Sequence, residues 1–226
     1  MMHCASCREP FHGSPLICAA CGAVQSSGVE APDYFQVFGL ERRLGVDVAA
    51  LEREFHRLSR RLHPDRFARA TAEEQQNSLR ATALLNDAWR VLRDPVERVE
   101  YLLKIEGHAV GEEHAGKARS AERQPPADLL EEVFELNMQL EEIRMSRKMG
   151  ETADASVLAE LRTAGERFEA MLDELDQALT AESTKWDAGE GQARAGAAAR
   201  MIELLDRRRY LWNLVREVRE ALGAAA

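Results

Sequence analysis

Residues 51–65 read LEREFHRLSRRLHPD, and they decide the fold of the region around them. Four apolar residues recur at +4, +7 and +11 from the first, which is the spacing of one stripe along a helix predicted over 48–62. They are Leu51, Phe55, Leu58 and Leu62. Pro64 disfavours helical backbone in the residue before it, so the helix is expected to end at His63. The stretch therefore predicts an amphipathic helix that ends abruptly in a His-Pro-Asp loop.

A second helix is predicted over 72–92, with one side formed by Thr82, Leu85, Ala88, Trp89 and Leu92. Two amphipathic helices joined by a short loop are expected to pack as an antiparallel hairpin. Short helices are predicted on both sides of it, over 34–40 after the N-cap Asp33 and over 96–104 after Asp94-Pro95.

The rest of the chain predicts a second helical region. Residues 108–126 are rich in Gly, Ala, Glu and His, end in two prolines and are interpreted as a linker. Helices are predicted over 127–149, 155–180 and 193–222, and three such helices pack most simply as an antiparallel bundle. The predicted division is a cysteine module and linker over 1–30, a helical hairpin domain over 31–107, the linker, and a bundle over 127–226. The fold class is all-α with a small N-terminal metal module.

Composition narrows the class of partner. The chain has 226 residues and a formal net charge of −9, which disfavours nucleic acid as a partner because phosphate binding needs a surplus of Lys and Arg. No run approaches the ~18 apolar residues of a membrane span, so no membrane partner is expected. The N-terminus resembles neither a signal peptide nor a transit peptide, which predicts a cytoplasmic protein with reduced cysteines.

Four cysteines form two CxxC pairs separated by ten residues: Cys4, Cys7, Cys18 and Cys21. Each pair offers two thiolates to one side of a tetrahedron, which is typical of a structural zinc site. His3 and His12 are alternative ligands, although four cysteines already complete the shell. A redox dithiol is the other interpretation, but that use normally needs one CxxC at the start of a helix.

The helix over 48–62 carries a basic face opposite its apolar stripe, formed by Arg53, His56, Arg57, Arg60 and Arg61. Such a pattern alone is typical of a solvated surface. Together with His63-Pro64-Asp65 and the run NDAWRVL over 86–92, however, it closely resembles the J-domain family. The resemblance implies that these arginines and the tripeptide bind an acidic surface on the ATPase domain of a seventy-kilodalton-class chaperone and promote ATP hydrolysis. Arg66 stands where family members usually have Lys.

Two further runs, DYFQVFGL over 33–40 and DPVERVEYLL over 94–103, resemble the HscB-type co-chaperones of iron–sulfur cluster assembly. The resemblance covers roughly residues 33–222, and the four-cysteine module resembles that of the animal-type members. It implies a co-chaperone that is not an enzyme. The implied partners are a chaperone of HscA or DnaK type and a cluster scaffold of IscU type.

The predicted helix over 127–149 has two apolar stripes. Leu129, Val133, Leu136, Leu140 and Ile143 follow a core period, whereas a second stripe of Leu130, Phe134 and Met138 is rotated by about 100°. The second stripe is either buried, against the helical hairpin domain or within a wide bundle face, or it is a binding surface. The HscB resemblance places the client-binding face on this helix, and motif alignment carries it onto Leu130, Glu131, Phe134, Glu135, Met138 and Glu142, with Leu204 as an addition. Met138 replaces an acid that is usual in bacterial members.

Four functions therefore compete. The leading hypothesis is a co-chaperone that delivers a cluster scaffold and triggers ATP hydrolysis. The alternatives are a general J-protein with another client, a CxxC thiol oxidoreductase, and a nucleic-acid-binding zinc protein.

Overall fold

The computed structural model describes residues 3–10, 13–25, 32–110 and 127–223. They are helical apart from loops, with two isolated bridges, His3–Pro10 and Ile17–Val24, and no β-strand within these ranges. The chain divides into two compact units, Met1–Glu106 and Gly107–Ala226. Across the described ranges, every helix is too short or too polar to cross a bilayer.

Among its described residues, the first unit contains four α-helices with well-defined starts: α1 (Tyr34–Val37), α2 (Val48–Leu62), α3 (Ala72–Arg93) and α4 (Pro95–Ile105). Each begins after a side chain that accepts hydrogen bonds from the orphan N–H groups of the first turn. These caps are Asp33, Asp47, Thr71 and Asp94. The predicted helical hairpin is confirmed, and α2 has the predicted bounds.

Helices α2 and α3 pack through the apolar stripes that the sequence predicts. Leu51, Leu58 and Leu62 of α2 are buried, as are Leu85 and Leu92 of α3. Phe55 lies at the edge of this interface, where its ring stacks on Trp89 with 5.1 Å between ring centroids. The hairpin core therefore holds the end of α2, and with it the His-Pro-Asp loop, against α3.

Helix α1 is tied to α4 by two tyrosines. The rings of Tyr34 and Tyr101 stack at 4.3 Å between centroids, and the Tyr101 hydroxyl accepts a hydrogen bond from the Tyr34 N–H at 2.9 Å. Arg42 bridges the two ends by pairing with Asp33 and Glu106. These contacts join the start of the first unit to its last helix, so its four helices pack together.

The second unit is the predicted three-helix bundle, made of α5 (Leu130–Lys148), α6 (Ala155–Ala188) and α7 (Gly191–Gly223). A short 3₁₀ turn, Ala127–Leu129, precedes α5. Helix α5 runs antiparallel to α6, since Glu132 pairs with Arg167 whereas the later Gln139 bonds to the earlier Glu160. The pair Asp128–Arg207 aligns the start of α5 with the middle of α7. The core stripe of α5 is confirmed, because all five of its residues are at most 5% exposed.

Helix α6 extends beyond the predicted end at residue 180 and continues to Ala188. Ser and Thr in this run favour a helix end, yet here the hydroxyls of Thr180, Ser183 and Thr184 bond to carbonyls four residues earlier. Buried Trp186 fixes the added turns by packing. Because α5 has 19 residues and α6 and α7 have 34 and 33, the two long helices continue past it as a two-helix arm.

Candidate functional sites

The His-Pro-Asp loop lies exposed at the end of α2. Helix α2 ends at Leu62, His63 leaves the helical conformation with φ −54° and ψ 129°, and Pro64 opens a 3₁₀ turn over Pro64–Phe67. The side chains of His63 and Asp65 are 54% and 90% exposed. The His63 Nδ1 atom accepts from the Asp65 N–H at 3.3 Å, so the imidazole and the carboxylate share one local turn. The tripeptide therefore presents a ring and an acid to solvent in a defined arrangement.

Two hydroxyls of α3 anchor the base of this loop. The Leu62 carbonyl has no helical partner because α2 stops there, and it accepts hydrogen bonds from Ser78 Oγ at 2.6 Å and Thr82 Oγ1 at 3.2 Å. The sequence did not single out Ser78. The available signal was a small polar residue on the apolar side of α3, seven residues before Leu85, and the structure buries it completely.

Replacing Ser78 with Ala should lower the unfolding free energy of the first unit by about 1–3 kcal/mol, because the buried Leu62 carbonyl loses its shorter hydrogen bond. Urea unfolding monitored at Trp89 measures this. Ser59→Ala on α2 is the matched control and should change the free energy by less than about 0.5 kcal/mol. Equal effects at the two serines would contradict the anchoring role.

The arginines of α2 differ in their surroundings. Arg57 makes a two-pronged pair with Glu54, at 2.7 Å from Nε and 2.5 Å from Nη2. Arg53 and Arg60 are exposed and, within the described part of the chain, bond to no other side chain. Arg61 is half-buried and donates from Nη2 to the Cys18 carbonyl at 3.2 Å. Three of the four predicted arginines therefore face solvent, and one faces the cysteine module.

The four cysteines meet in one cluster. Their sulfurs lie within 4.8 Å of one another, with Cys4 Sγ at 3.6 Å from Cys21 Sγ and Cys7 Sγ at 3.7 Å from Cys18 Sγ. A tetrahedral ion with Zn–S bonds of about 2.3 Å requires S–S distances of about 3.8 Å, so the sulfurs fit a four-coordinate metal. Neither CxxC begins a helix, and both of these S–S distances join a sulfur of one pair to a sulfur of the other.

Hydrogen bonds from backbone N–H groups shift the pKa values of these thiols. The Cys7 N–H donates to Cys4 Sγ and lowers the pKa of Cys4 to about 6. A corresponding bond from the Cys21 N–H lowers the pKa of Cys18. The Glu9 N–H lowers the pKa of Cys7, but burial and hydrogen bonds with the other thiols outweigh it and raise that pKa to about 12. Cys4 thus carries thiolate charge at neutral pH, the pKa of Cys18 is shifted in the same direction, and a bound cation would displace the remaining protons.

The second apolar stripe of α5 is exposed. Leu130, Phe134 and Met138 are 52%, 67% and 60% exposed, so the interpretation of this stripe as a wide buried face is wrong. Glu131, Glu135 and Glu142 lie on the same side of the helix and are exposed as well. A contiguous apolar stripe of this kind, flanked by acids, is typical of a protein-binding surface.

An open groove of about 780 Å³ lies beside this stripe, between α5 and α6. Its rim carries four carboxylates and one arginine, from Glu132, Glu135, Glu142, Glu160 and Arg167. Leu204 does not join the exposed stripe, because it is only 4% exposed within the arm. The sequence pattern of the last helix does not reveal which of its sides is covered.

The sequence and the structure were compared with those of known proteins. No family model matches the sequence. The structure of chaperone HscB from Vibrio cholerae is similar at 24% identity and a TM-score of 0.58, over 86% of this chain and 100% of that one. The crystal structure of human co-chaperone protein HscB is similar at 22% identity and a TM-score of 0.66, over 97% of this chain and 98% of that one. Over most of its length, the chain has the fold of the HscB co-chaperones.

Proposed function

We propose that the chain is a J-domain co-chaperone that serves iron–sulfur cluster assembly. It binds a seventy-kilodalton-class chaperone of HscA or DnaK type, stimulates ATP hydrolysis there and delivers a cluster scaffold of IscU type. The observation that carries the proposal is the exposed His63-Pro64-Asp65 loop, which is anchored at its base and continues directly from a basic helix. A buried or disordered tripeptide could not dock on a partner in a fixed orientation.

The chaperone-binding surface in this proposal comprises the tripeptide with Arg53, Arg57, Arg60 and Arg61. Exposed guanidiniums on an otherwise acidic chain steer it toward an acidic partner surface, mainly by raising the association rate. The Arg57–Glu54 pair is exposed, so exchanging Glu54 for a partner carboxylate costs little free energy.

The client surface in this proposal comprises Leu130, Phe134 and Met138 with the acids Glu131, Glu135 and Glu142. Apolar anchors surrounded by carboxylates fit a client that presents an apolar patch next to basic residues. Leu204 is left out because its side chain is buried.

Binding of a purified IscU-type scaffold to the full chain, measured by titration calorimetry, tests the proposal. One-to-one binding with a dissociation constant in the micromolar range is expected. Absence of binding at millimolar concentration would remove the scaffold as client and favour a general J-protein. The oxidoreductase alternative is disfavoured because the sulfurs cluster as four, not as two independent dithiols.

We also propose that the cysteine cluster holds one structural zinc ion, in a reducing cytoplasm where the thiols remain available. Metal analysis of the purified chain should give one zinc per chain. Cys7→Ser should weaken zinc binding and loosen residues 3–25, while the helical hairpin stays folded. Zinc affinity should rise with pH, because binding displaces the protons of Cys7 and Cys21, whose pKa values are raised.

Ser6→Ala is the matched control for the zinc measurement, since the Ser6 side chain is exposed between two ligands and only its backbone N–H contacts Cys4 Sγ. Its zinc content should equal that of the parent chain. A metal-free protein with disulfides would contradict the zinc proposal and restore the redox alternative.

A further inference from the structure

The cysteine module (described residues 3–10 and 13–25) contacts the chaperone-facing helix α2 directly. Arg61 lies in the last turn of α2, two residues before His63, and its Nη2 donates to the Cys18 carbonyl at 3.2 Å. The same oxygen accepts the Gly22 N–H at 3.0 Å, which closes the turn that holds Cys18 and Cys21. Arg61 therefore binds an atom whose position depends on the shape of the metal-binding turn.

A second contact lies at two glycines. Gly39 follows α1 with a φ of +67°, and a Cβ built on it would approach the Gly13 Cα to 2.7 Å. No side chain fits in this gap, so the backbone of the cysteine module packs against the backbone after α1. The neighbouring residues Leu16 and Ile17 are only 4% and 6% exposed, although such a small module buries little surface by itself. The module is thus docked on the helical hairpin.

Two other arginines of α2 differ from Arg61 in their hydrogen bonding. Arg53 and Arg60 are exposed and bond to no other side chain in the described ranges, so they are available to a partner at all times. Arg61 has a single long side chain that reaches either the Cys18 carbonyl or a group on a bound partner. A guanidinium that is held by a carbonyl keeps its charge and its other donors, but its position is fixed at the cysteine module.

We propose that the cysteine module and the chaperone compete for the Arg61 side chain, and we call this competition the Arg61 latch. A module held in shape by its metal keeps Arg61 on the Cys18 carbonyl, and a module without metal releases Arg61 to the acidic surface of the chaperone. The proposal rests on the proposed function, because it assigns a regulatory role to one residue of the same surface. Since coupling between two binding events is reciprocal, chaperone binding should also weaken metal binding.

A single ion pair sets the expected size of this effect. A released guanidinium that pairs with one carboxylate at a partly desolvated interface should raise chaperone affinity about threefold to tenfold. In the opposite direction, saturating chaperone should lower the metal affinity of the module by the same factor.

The test is a titration of the full chain with a purified seventy-kilodalton chaperone, with zinc bound and after removal by a zinc-selective chelator in excess magnesium. The parent chain should bind about threefold to tenfold more tightly after metal removal. Arg61→Gln should abolish this dependence on metal. Arg60→Gln is the matched control: it should weaken binding in both states and keep the dependence.

A second variant undocks the module without touching a metal ligand. Gly39→Ala should drive the module off the hairpin and raise chaperone affinity even with zinc bound. Gly107→Ala is its control, because Gly107 also has a positive φ of +87° but no atom lies within 4 Å of its added Cβ. It should leave chaperone affinity unchanged. Zinc content and circular dichroism spectra confirm that each variant remains metal-loaded and helical.

The outcomes separate the latch from the proposed function. If Arg60→Gln and His63→Gln leave chaperone binding unchanged, the proposed function itself is wrong. If these two variants weaken chaperone binding, the chaperone-binding surface is supported. The latch is then wrong if metal removal lowers chaperone affinity, or if Arg61→Gln keeps the dependence of that affinity on metal. Direct competition of the chaperone with a chromophoric zinc chelator gives an independent readout, and an unchanged zinc affinity would overturn the latch as well.

Discussion

His63→Gln is expected to abolish stimulation of the partner chaperone's ATPase while leaving the fold intact. The imidazole is 54% exposed and packs in no core, so its replacement should change the unfolding free energy by less than about 0.5 kcal/mol. What is lost is the ring whose Nδ1 accepts the Asp65 N–H and thereby fixes the shape of the loop. Steady-state ATP hydrolysis by the chaperone, with increasing amounts of each variant, is the measurement.

His108→Gln is the control, because it makes the same replacement of His by Gln outside the His-Pro-Asp loop. It should stimulate the ATPase as the parent chain does, with the same half-maximal concentration. If His63→Gln stimulates equally well, the assignment of the tripeptide to chaperone binding is wrong. If both variants fail and both have lost helical signal, the effect comes from the fold and the comparison must be repeated with Asp65→Asn.

Phe134→Ala should weaken scaffold binding by about 2 kcal/mol, roughly 30-fold in the dissociation constant, with little change in thermal stability. The side chain is 67% exposed in the described structure, so its removal leaves no cavity. An aromatic anchor at the centre of an interface, by contrast, contributes much of the binding free energy. Titration calorimetry and thermal unfolding of the same samples distinguish the two effects.

Leu136→Ala is the control, because Leu136 lies two residues away on the core stripe and is 1% exposed. It should cost about 2–5 kcal/mol of folding free energy and lower the melting temperature by on the order of 10 °C. Scaffold binding by the folded variant should remain within about twofold. A Phe134→Ala variant that unfolds early yet binds the scaffold normally would place the client site elsewhere.

The elements with strong local signals could be predicted from the sequence. Helix α2 has the predicted bounds because its N-cap Asp47, its apolar period and Pro64 act within a few residues of one another. The four-cysteine cluster follows from spacing alone, since a CxxC turn sets two sulfurs on one side of a tetrahedron. The core stripe of α5 follows from its period, whereas the exposure of the second stripe does not, because a bundle helix can also bury a wide face.

Features that depend on contacts between distant residues could not be predicted. The end of α6 was expected at residue 180, but hydroxyls bonded to their own helix and the burial of Trp186 extend it to Ala188. The hydrogen-bond partner of Arg61 is a carbonyl 43 positions earlier in the chain. Helix periodicity places Ser78 on the apolar side of α3, but it does not reveal that the hydroxyl completes the hydrogen bonding of another helix end. Leu204 is covered by packing that a single-helix pattern does not reveal.

The most direct test of the proposed function is the rate of ATP hydrolysis by a purified seventy-kilodalton chaperone in the presence of this chain, an IscU-type scaffold, or both. We predict that the chain alone accelerates hydrolysis and that both together accelerate it by more than the sum of the separate effects. In the proposed function, the exposed loop acts on the chaperone, whereas the stripe on α5 brings the client to it. An ATPase rate that the chain leaves unchanged, with or without the scaffold, would contradict the proposed function.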